Sequence, residues 1–180
     1  MDRNVKIENV VASAATGQKF DLNLITVDID NVEYEPEQFP GVVYHLEEPK
    51  AAALIFSSGK IVCTGAKSIA DVRLAIKRIV EEIRKTGVKI PKGTKIIIQN
   101  VVATANLHAE LNLDAIAIGL DNTEYEPEQF PGLVYRMKDP KVVLLLFGSG
   151  KIVITGAKSF DDADRAAENV TSKLKELGLV

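Results

Sequence analysis

The sequence predicts an α+β fold made twice from one pseudo-symmetric unit, antiparallel strands backed on one face by amphipathic helices. Three observations carry this. Residues 7–88 align on 98–179 without a gap, a shift of 91, with about 38 identities in 82 positions. Within each copy the apolar period is two over several short runs and then becomes that of a helix. The phrase Glu33-Tyr34-Glu35-Pro36-Glu37-Gln38-Phe39-Pro40-Gly41 returns letter for letter as residues 124–132. Two long units are too few for a solenoid and point to an intramolecular pseudo-dimer with an approximate two-fold axis. Pro91-Lys92-Gly93 is the joint, giving repeats 1–91 and 92–180.

Each repeat opens with a strand, Val5 to Ser13 or Ile96 to Thr104, followed by a short, weakly periodic helix near Leu22–Val27 or Leu113–Ile118. The nonapeptide comes next. A residue before proline is driven toward extended backbone, and Pro-Gly marks a turn, so Phe39 and Phe130 belong at the lip of a strand-to-strand connection. Taken alone, a Phe there is more often a plug under the turn, because Phe prefers burial. Three β-rich runs follow, Val42–Leu46, Ala51–Phe56 and Lys60–Thr64, with counterparts Leu133–Met137, Val142–Phe147 and Lys151–Thr155. Then Ser68 caps a helix with Asp71 at the capping-box position. Ile69, Val72, Ala75, Ile76, Ile79, Val80 and Ile83 fall on one stripe, and Gly87 stops it. Ser159, Asp162, Phe160, Ala163, Ala166, Ala167, Val170, Leu174 and Gly178 repeat the pattern.

At 180 residues and 46% hydrophobic the chain can bury a core. Its net charge of −3 divides as −1 and −2 between the repeats, so neither half is basic and composition gives no hint of nucleic acid. The single Cys63 excludes a disulfide framework within the chain and fits a reducing compartment. No apolar run approaches a membrane span, which needs about 18 residues, and Met-Asp-Arg-Asn is no signal peptide. The reading is a soluble, intracellular protein with no membrane partner.

The strands supply the functional clue. Around Leu54-Ile55-Phe56 and Ile61-Val62-Cys63-Thr64 both faces are apolar, and the helices can cover only one of them. An antiparallel sheet normally turns a polar face to water. Here Val11, Leu54, Phe56 and Val62, with Val102, Leu145, Phe147 and Val153, form an open apolar floor, and such a patch marks an interaction site. It could also be closed by a second copy of the chain. Asn9 and Asn100 share the face of Val11 and Val102, while Lys60, Lys67, Lys151 and Lys158 rim it. Amides on an apolar floor edged by lysines suit a DNA minor groove, with its acceptor-bearing base edges and flanking phosphates. The local face, not the net charge, sets the field there.

The tandem units, the nonapeptide, the Phe-x-Ser-Gly-Lys-Ile-Val-x-Thr-Gly-Ala-Lys block and the Asn-Val-Val strand together resemble the TATA-box-binding protein family over essentially the whole chain. The short N-terminus, acidic charge and closely similar halves look archaeal, which implies a cytoplasmic, nucleoid-associated protein; a eukaryotic member would be nuclear. The resemblance implies a saddle, one curved ten-stranded antiparallel sheet with four helices on its convex face and DNA beneath. It implies intercalating wedges at Phe39 with Phe56 and at Phe130 with Phe147. Asn9 and Asn100 would bond base edges, aided by Thr64 and Thr155, over a floor of Val11, Leu54, Val62, Val102, Leu145 and Val153. Ser58, Lys60, Lys67, Arg136, Ser149, Lys151 and Lys158 would meet the DNA backbone. Glu126, Glu128 and Gln129 would receive transcription factor B and lead to RNA polymerase and its pre-initiation complex. There are two departures: His45 stands where the second repeat has Arg136, and Gln38 and Gln129 stand where many eukaryotic members carry a basic or aliphatic residue. The family is itself the standard example of minor-groove kinking by apolar wedges.

Other readings have less support in the residues. His45 and His108 do not repeat and have no suggestive neighbours, so no enzyme is implied. Asp161-Asp162-Ala163-Asp164 opens a helix, where acids favour the dipole rather than a metal. Gly59 to Gly65 before Ala66-Lys67-Ser68 mimics a phosphate loop, but the spacing is five and alanine intervenes. No metal or cofactor is expected. The alternative is an apolar-ligand carrier, or a symmetric protein-binding scaffold, using the open face; the free protein could also form a homodimer through it.

Overall fold

Strand β1 (Lys6–Ala15) begins the first repeat of the computed structural model, which describes residues 4–180; Met1-Asp2-Arg3, and the reading of the N-terminus, lie outside them. Then come α1 (Leu22–Asp28), β2 (Val32–Glu33), β3 (Val42–Glu47), β4 (Lys50–Ile55), β5 (Lys60–Ala66) and α2 (Ile69–Lys85). The second repeat follows the same order: β6 (Ile96–Asn106), α3 (Leu113–Gly119), β7 (Thr123–Glu124), β8 (Leu133–Lys138), β9 (Lys141–Leu146), β10 (Lys151–Ala157) and α4 (Phe160–Glu176). Among the described residues, ten strands and four helices, divided equally between the two repeats, make the predicted α+β class. The two-residue strands β2 and β7, at the head of each nonapeptide, are too short to carry a period.

Two compact units emerge: Asn9–Gln99, and Asn100–Val180 with the residues up to Glu8. In the first, the hydrogen-bonded order is β2-β3-β4-β5-β1; in the second it is β6-β10-β9-β8-β7. The opening residues of β6 count with the first unit, where Gln99 Nε2 donates to Ser13 Oγ at 2.8 Å. Those of β1 count with the second, where Thr104 Oγ1 donates to Glu8 Oε1 at 3.1 Å.

The long helices form where the sequence places them. Ser68 Oγ accepts from the Asp71 amide at 3.0 Å and Ser159 Oγ from the Asp162 amide at 3.1 Å, each satisfying an N–H that the helix cannot. Gly87 and Gly178 end them with φ of +103° and +70°, values that favour glycine. Helix α2 packs on β5 and β4, and α4 on β10. The core lies in between: Ala53, Ile55, Ile61 and Cys63 face Val72, Ile76, Ile79 and Ile83 in the first unit, all buried. The second unit uses Leu144, Leu146, Ile152 and Ile154 against Ala163, Ala166, Val170 and Leu174. Larger strand residues meet smaller helix residues there, so the volume is kept. Phe160 departs from the expected stripe: in the first turn of α4, ahead of the packed turns, it is 46% exposed. No helix is long and apolar enough to cross a membrane, and no group of three or more metal-binding side chains gathers among the described residues.

Candidate nucleic-acid interface

Burial alternates residue by residue along the central strands. In β4, β5, β9 and β10 every second side chain is buried under a helix, while the next is only partly covered. The partly covered set is the predicted floor. Leu54 stands opposite Val62 and Val43 opposite Leu54, with Leu145 opposite Val153 and Val134 opposite Leu145 in the second unit. Val11 and Val102 are half-buried on β1 and β6.

The amides are fixed by a device invisible in the sequence. The β1–β5 register slips between Val10 and Ala12, and the β6–β10 register between Ile154 and Ala157, so that β5 and β10 each carry one extra residue. The bulges contain Thr64-Gly65 and Thr155-Gly156, where the glycines have φ of +96° and +91°. A bulge leaves a backbone donor without its ladder partner, and here the Gly65 N–H donates to Asn9 Oδ1 at 2.7 Å and the Gly156 N–H to Asn100 Oδ1 at 2.6 Å. That sets each amide's orientation. Asn9 Nδ2 then donates to Thr64 Oγ1 at 3.0 Å and Asn100 Nδ2 to Thr155 Oγ1 at 3.1 Å. An amide nitrogen carries two protons, so each half offers a second Nδ2 proton from a fixed group. A·T pairs present only acceptors in the minor groove, whereas guanine adds a donor.

Phe39 and Phe56 have ring centroids 5.8 Å apart at 60°, and Phe130 and Phe147 lie 5.9 Å apart at 65°. Phe39 and Phe130 are 36% and 41% exposed, which does not suit a plug under a turn. The rings explain the Pro-Gly that follows. A Cβ on Gly41 would lie 2.9 Å from Phe39 Cε2 and 3.1 Å from Phe56 Cε1, and one on Gly132 2.7 Å from Phe130 Cε2 and 2.9 Å from Phe147 Cε1. Only glycine lets the pair close over the chain. Above the rings, residues 35–39 and 126–130 form a tight turn, with the Phe39 N–H on the Glu35 carbonyl at 2.9 Å and the Phe130 N–H on the Glu126 carbonyl at 3.0 Å. Glu126, Glu128 and Gln129 are thereby exposed, as are Glu35, Glu37 and Gln38.

Lys60, Lys67, Lys151 and Lys158 are all exposed at the ends of β5 and β10. Ser58 Oγ and Ser149 Oγ accept from the Lys60 and Lys151 amides at 3.4 Å, which orders both turns. Arg136 Nε is 3.9 Å from Glu124 Oε1 and exposed, while its counterpart His45 is also exposed. Cys63 is fully buried on the helix side, away from the floor, and burial pushes its thiol up to about 11.

Comparison with known proteins finds the same tandem repeat and fold. The profile described as "Transcription factor TFIID (or TATA-binding protein, TBP)" matches residues 4–86 and again 95–177. The TATA-box-binding protein of Methanothermobacter thermautotrophicus is 59% identical over 99% of both chains, and that of Archaeoglobus fulgidus 54% identical over 99% of both. The solved structure of Methanococcus jannaschii TBP, 55% identical, superposes with a TM-score of 0.87 over 96% of this chain and 98% of its own. With two matched repeats, near-complete coverage by relatives above half identity and a shared fold, the chain belongs to the TATA-binding protein family.

Proposed function

We propose that this chain is the TATA-box-binding initiation factor of an archaeal transcription system, acting without enzymatic chemistry on double-stranded DNA. The observation that carries the proposal is the amide pinned by its bulge, repeated in both units on an apolar floor. It presents donors to base edges that, in A·T pairs, bear only acceptors. Repeats 1–91 and 92–180 each supply half of the contact. Val11, Leu54 and Val62, with Val102, Leu145 and Val153, lie against the sugars, and Thr64 and Thr155 assist the amides. Phe39 with Phe56 and Phe130 with Phe147 enter base steps. Unstacking costs a few kcal/mol per step and is offset by the surface that the bent duplex then covers, a mechanism for which this family is the standard case. Flexible TA steps lower the cost. Ser58, Lys60, Lys67, Arg136, Ser149, Lys151 and Lys158 hold phosphates. The exposed Glu126, Glu128 and Gln129, turned away by the tight turn beneath them, receive transcription factor B and through it the polymerase. When no DNA is present, the apolar faces of two copies can cover one another.

A gel shift comparing a TATA duplex with a G·C-rich one of equal length tests the proposal. Submicromolar binding to the first and at least ~10-fold weaker binding to the second is expected, in keeping with about 1–3 kcal/mol per mismatched pair. Equal binding to both would overturn it.

A further inference from the structure

Among the described residues three serine and threonine side chains are buried: Ser13, Thr16 and Thr171. Ser13 Oγ accepts from Gln99 Nε2, and the Thr171 hydroxyl donates to the Ala167 carbonyl at 2.6 Å, one turn back in its own helix. Thr16 instead ties the loop after β1 to the turn between β4 and β5. Its Oγ1 donates to the Gly59 carbonyl at 2.8 Å and accepts from the Gln18 N–H at 3.3 Å. Its own N–H reaches the same Gly59 carbonyl at 3.2 Å, and the Phe20 N–H donates to the Ser57 carbonyl at 2.9 Å. The loop lies so close along the turn that a Cβ on Gly59 would strike the Gln18 carbonyl. That turn carries Ser58 and Lys60.

The second repeat keeps the backbone half of this clamp and drops the hydroxyl. The Leu107 N–H donates to the Gly150 carbonyl at 3.0 Å and the Leu111 N–H to the Gly148 carbonyl at 2.9 Å. The residue matching Thr16 is Leu107 itself, equally buried. A side-chain bond nearby, from the His108 N–H to Asn106 Oδ1 at 2.8 Å, closes within the loop and does not reach the turn. Burying a hydroxyl costs free energy unless it is bonded, and leucine fills the same position without one. The bond that Thr16 adds is made away from water, so solvent does not compete for the Gly59 carbonyl. We propose that Thr16 is a positioning residue: its hydroxyl fixes the Ser58-Gly59-Lys60 turn in the shape that presents Lys60 to a phosphate. The first repeat then meets DNA with a turn held by a side chain, the second with one held by backbone bonds alone. This rests on the DNA-binding reading above.

Thr16→Val keeps the branched shape and removes the hydroxyl. Affinity for a TATA duplex is measured by fluorescence anisotropy across a salt series, where each phosphate contact contributes about 0.9 to the logarithmic slope. Thr16→Val should flatten the slope by about 0.4–0.9, and Thr16→Ser, which restores the hydroxyl, should return it to the wild-type value. Thr16→Ala, smaller than the space it leaves, is read in the same way should the valine variant not fold. A loss of stability alone lowers the folded fraction without changing the number of phosphates held, so the slope separates positioning from packing. In a Lys60→Ala background Thr16→Val should change the slope by less than half as much, and in a Lys151→Ala background by as much as in the wild type. Equal changes in both backgrounds, an unchanged slope for the valine and alanine variants, or no recovery with serine would overturn the inference. A wild type with no salt-dependent TATA binding would instead remove the reading on which it rests.

Discussion

Beside the bulged glycines the two repeats are nearly superimposable, with amide contacts of 2.7 and 3.0 Å in one and 2.6 and 3.1 Å in the other. At the hairpin ends beyond the nonapeptide they diverge outright, with His45 and Glu47 in the first repeat where the second has Arg136 and Lys138. The ring pairs belong with the first group, at 5.8 and 5.9 Å. What the copies share would meet the part of a duplex that is alike in both halves: base edges with acceptors, and a step to be opened. What they do not share lies at the rim. A pseudo-symmetric protein can thus keep one recognition chemistry twice and still differ end from end through its borders.

The largest effect should come from the shared rings. Phe130→Ala with Phe147→Ala is expected to weaken TATA binding ~10–100-fold, since aromatic–base stacking contributes about 1–3 kcal/mol per base. End-to-end fluorescence transfer should show the bend reduced. Phe39→Ala with Phe56→Ala should match it, because the geometry matches. Phe130 is 41% exposed, so its own truncation should leave the melting temperature nearly unchanged. Variants that unfold while the surviving fraction bends DNA normally would make the rings core residues and dissolve the comparison.

A smaller and sharper effect is expected at the amides. Asn100→Asp retains an oxygen to accept from the Gly156 N–H but removes the Nδ2 donor. It should lower TATA affinity by about 1–3 kcal/mol with little change in thermal stability, and Asn9→Asp should do the same. If Asn→Ala destabilises the protein while Asn→Asp binds DNA like the wild type, the amides serve only to pin the bulges, and the identity of the two sites is a fact about folding rather than recognition.

The repeat, the helical stripes and the uncovered face were legible because they rest on periods several residues long. The bulges were not. Gly65 and Gly156 fall just past the runs Lys60–Thr64 and Lys151–Thr155, and nothing in the sequence says that a register slip there strands an N–H within 2.7 Å of an asparagine 56 positions away. The same holds for Gly41 and Gly132, whose role is to let two rings close overhead, and for the two-residue strands β2 and β7. Phe160 was misplaced on the stripe because its spacing is right, but it precedes the turns of α4 that pack. The compact units illustrate a further limit: the alignment sees residues 7 and 98 as openings of separate repeats, whereas contact assigns the first residues of β1 and β6 to opposite units. The wedges and the partner face came from the resemblance, since a Phe beside Pro-Gly reads as a plug on its own.

The smallest effect concerns a difference buried in the core, Cys63 against Ile154, both fully buried on the helix side of equivalent strands. Burial is the only cause acting on the thiol, raising it from 9.0 to about 11. At pH 8 almost no thiolate forms in the folded chain, and the reactive species is the thiolate. Labelling by a thiol reagent should therefore be slow in buffer and complete, at one thiol per chain, in denaturant. The folded pKa lies above the unfolded one, so the thiol's contribution to stability is fully present below pH 9 and is lost as the pH climbs toward 11. Lysines and tyrosines titrate in that window too, so the quantity to read is the difference between wild type and Cys63→Ala in denaturant unfolding. That difference should narrow from pH 8 to pH 11, because only the first repeat carries an ionisable group at this core position. A difference independent of pH, or fast labelling of the native chain, would mean that the strand holding Asn9's bulge opens to solvent where its counterpart stays shut.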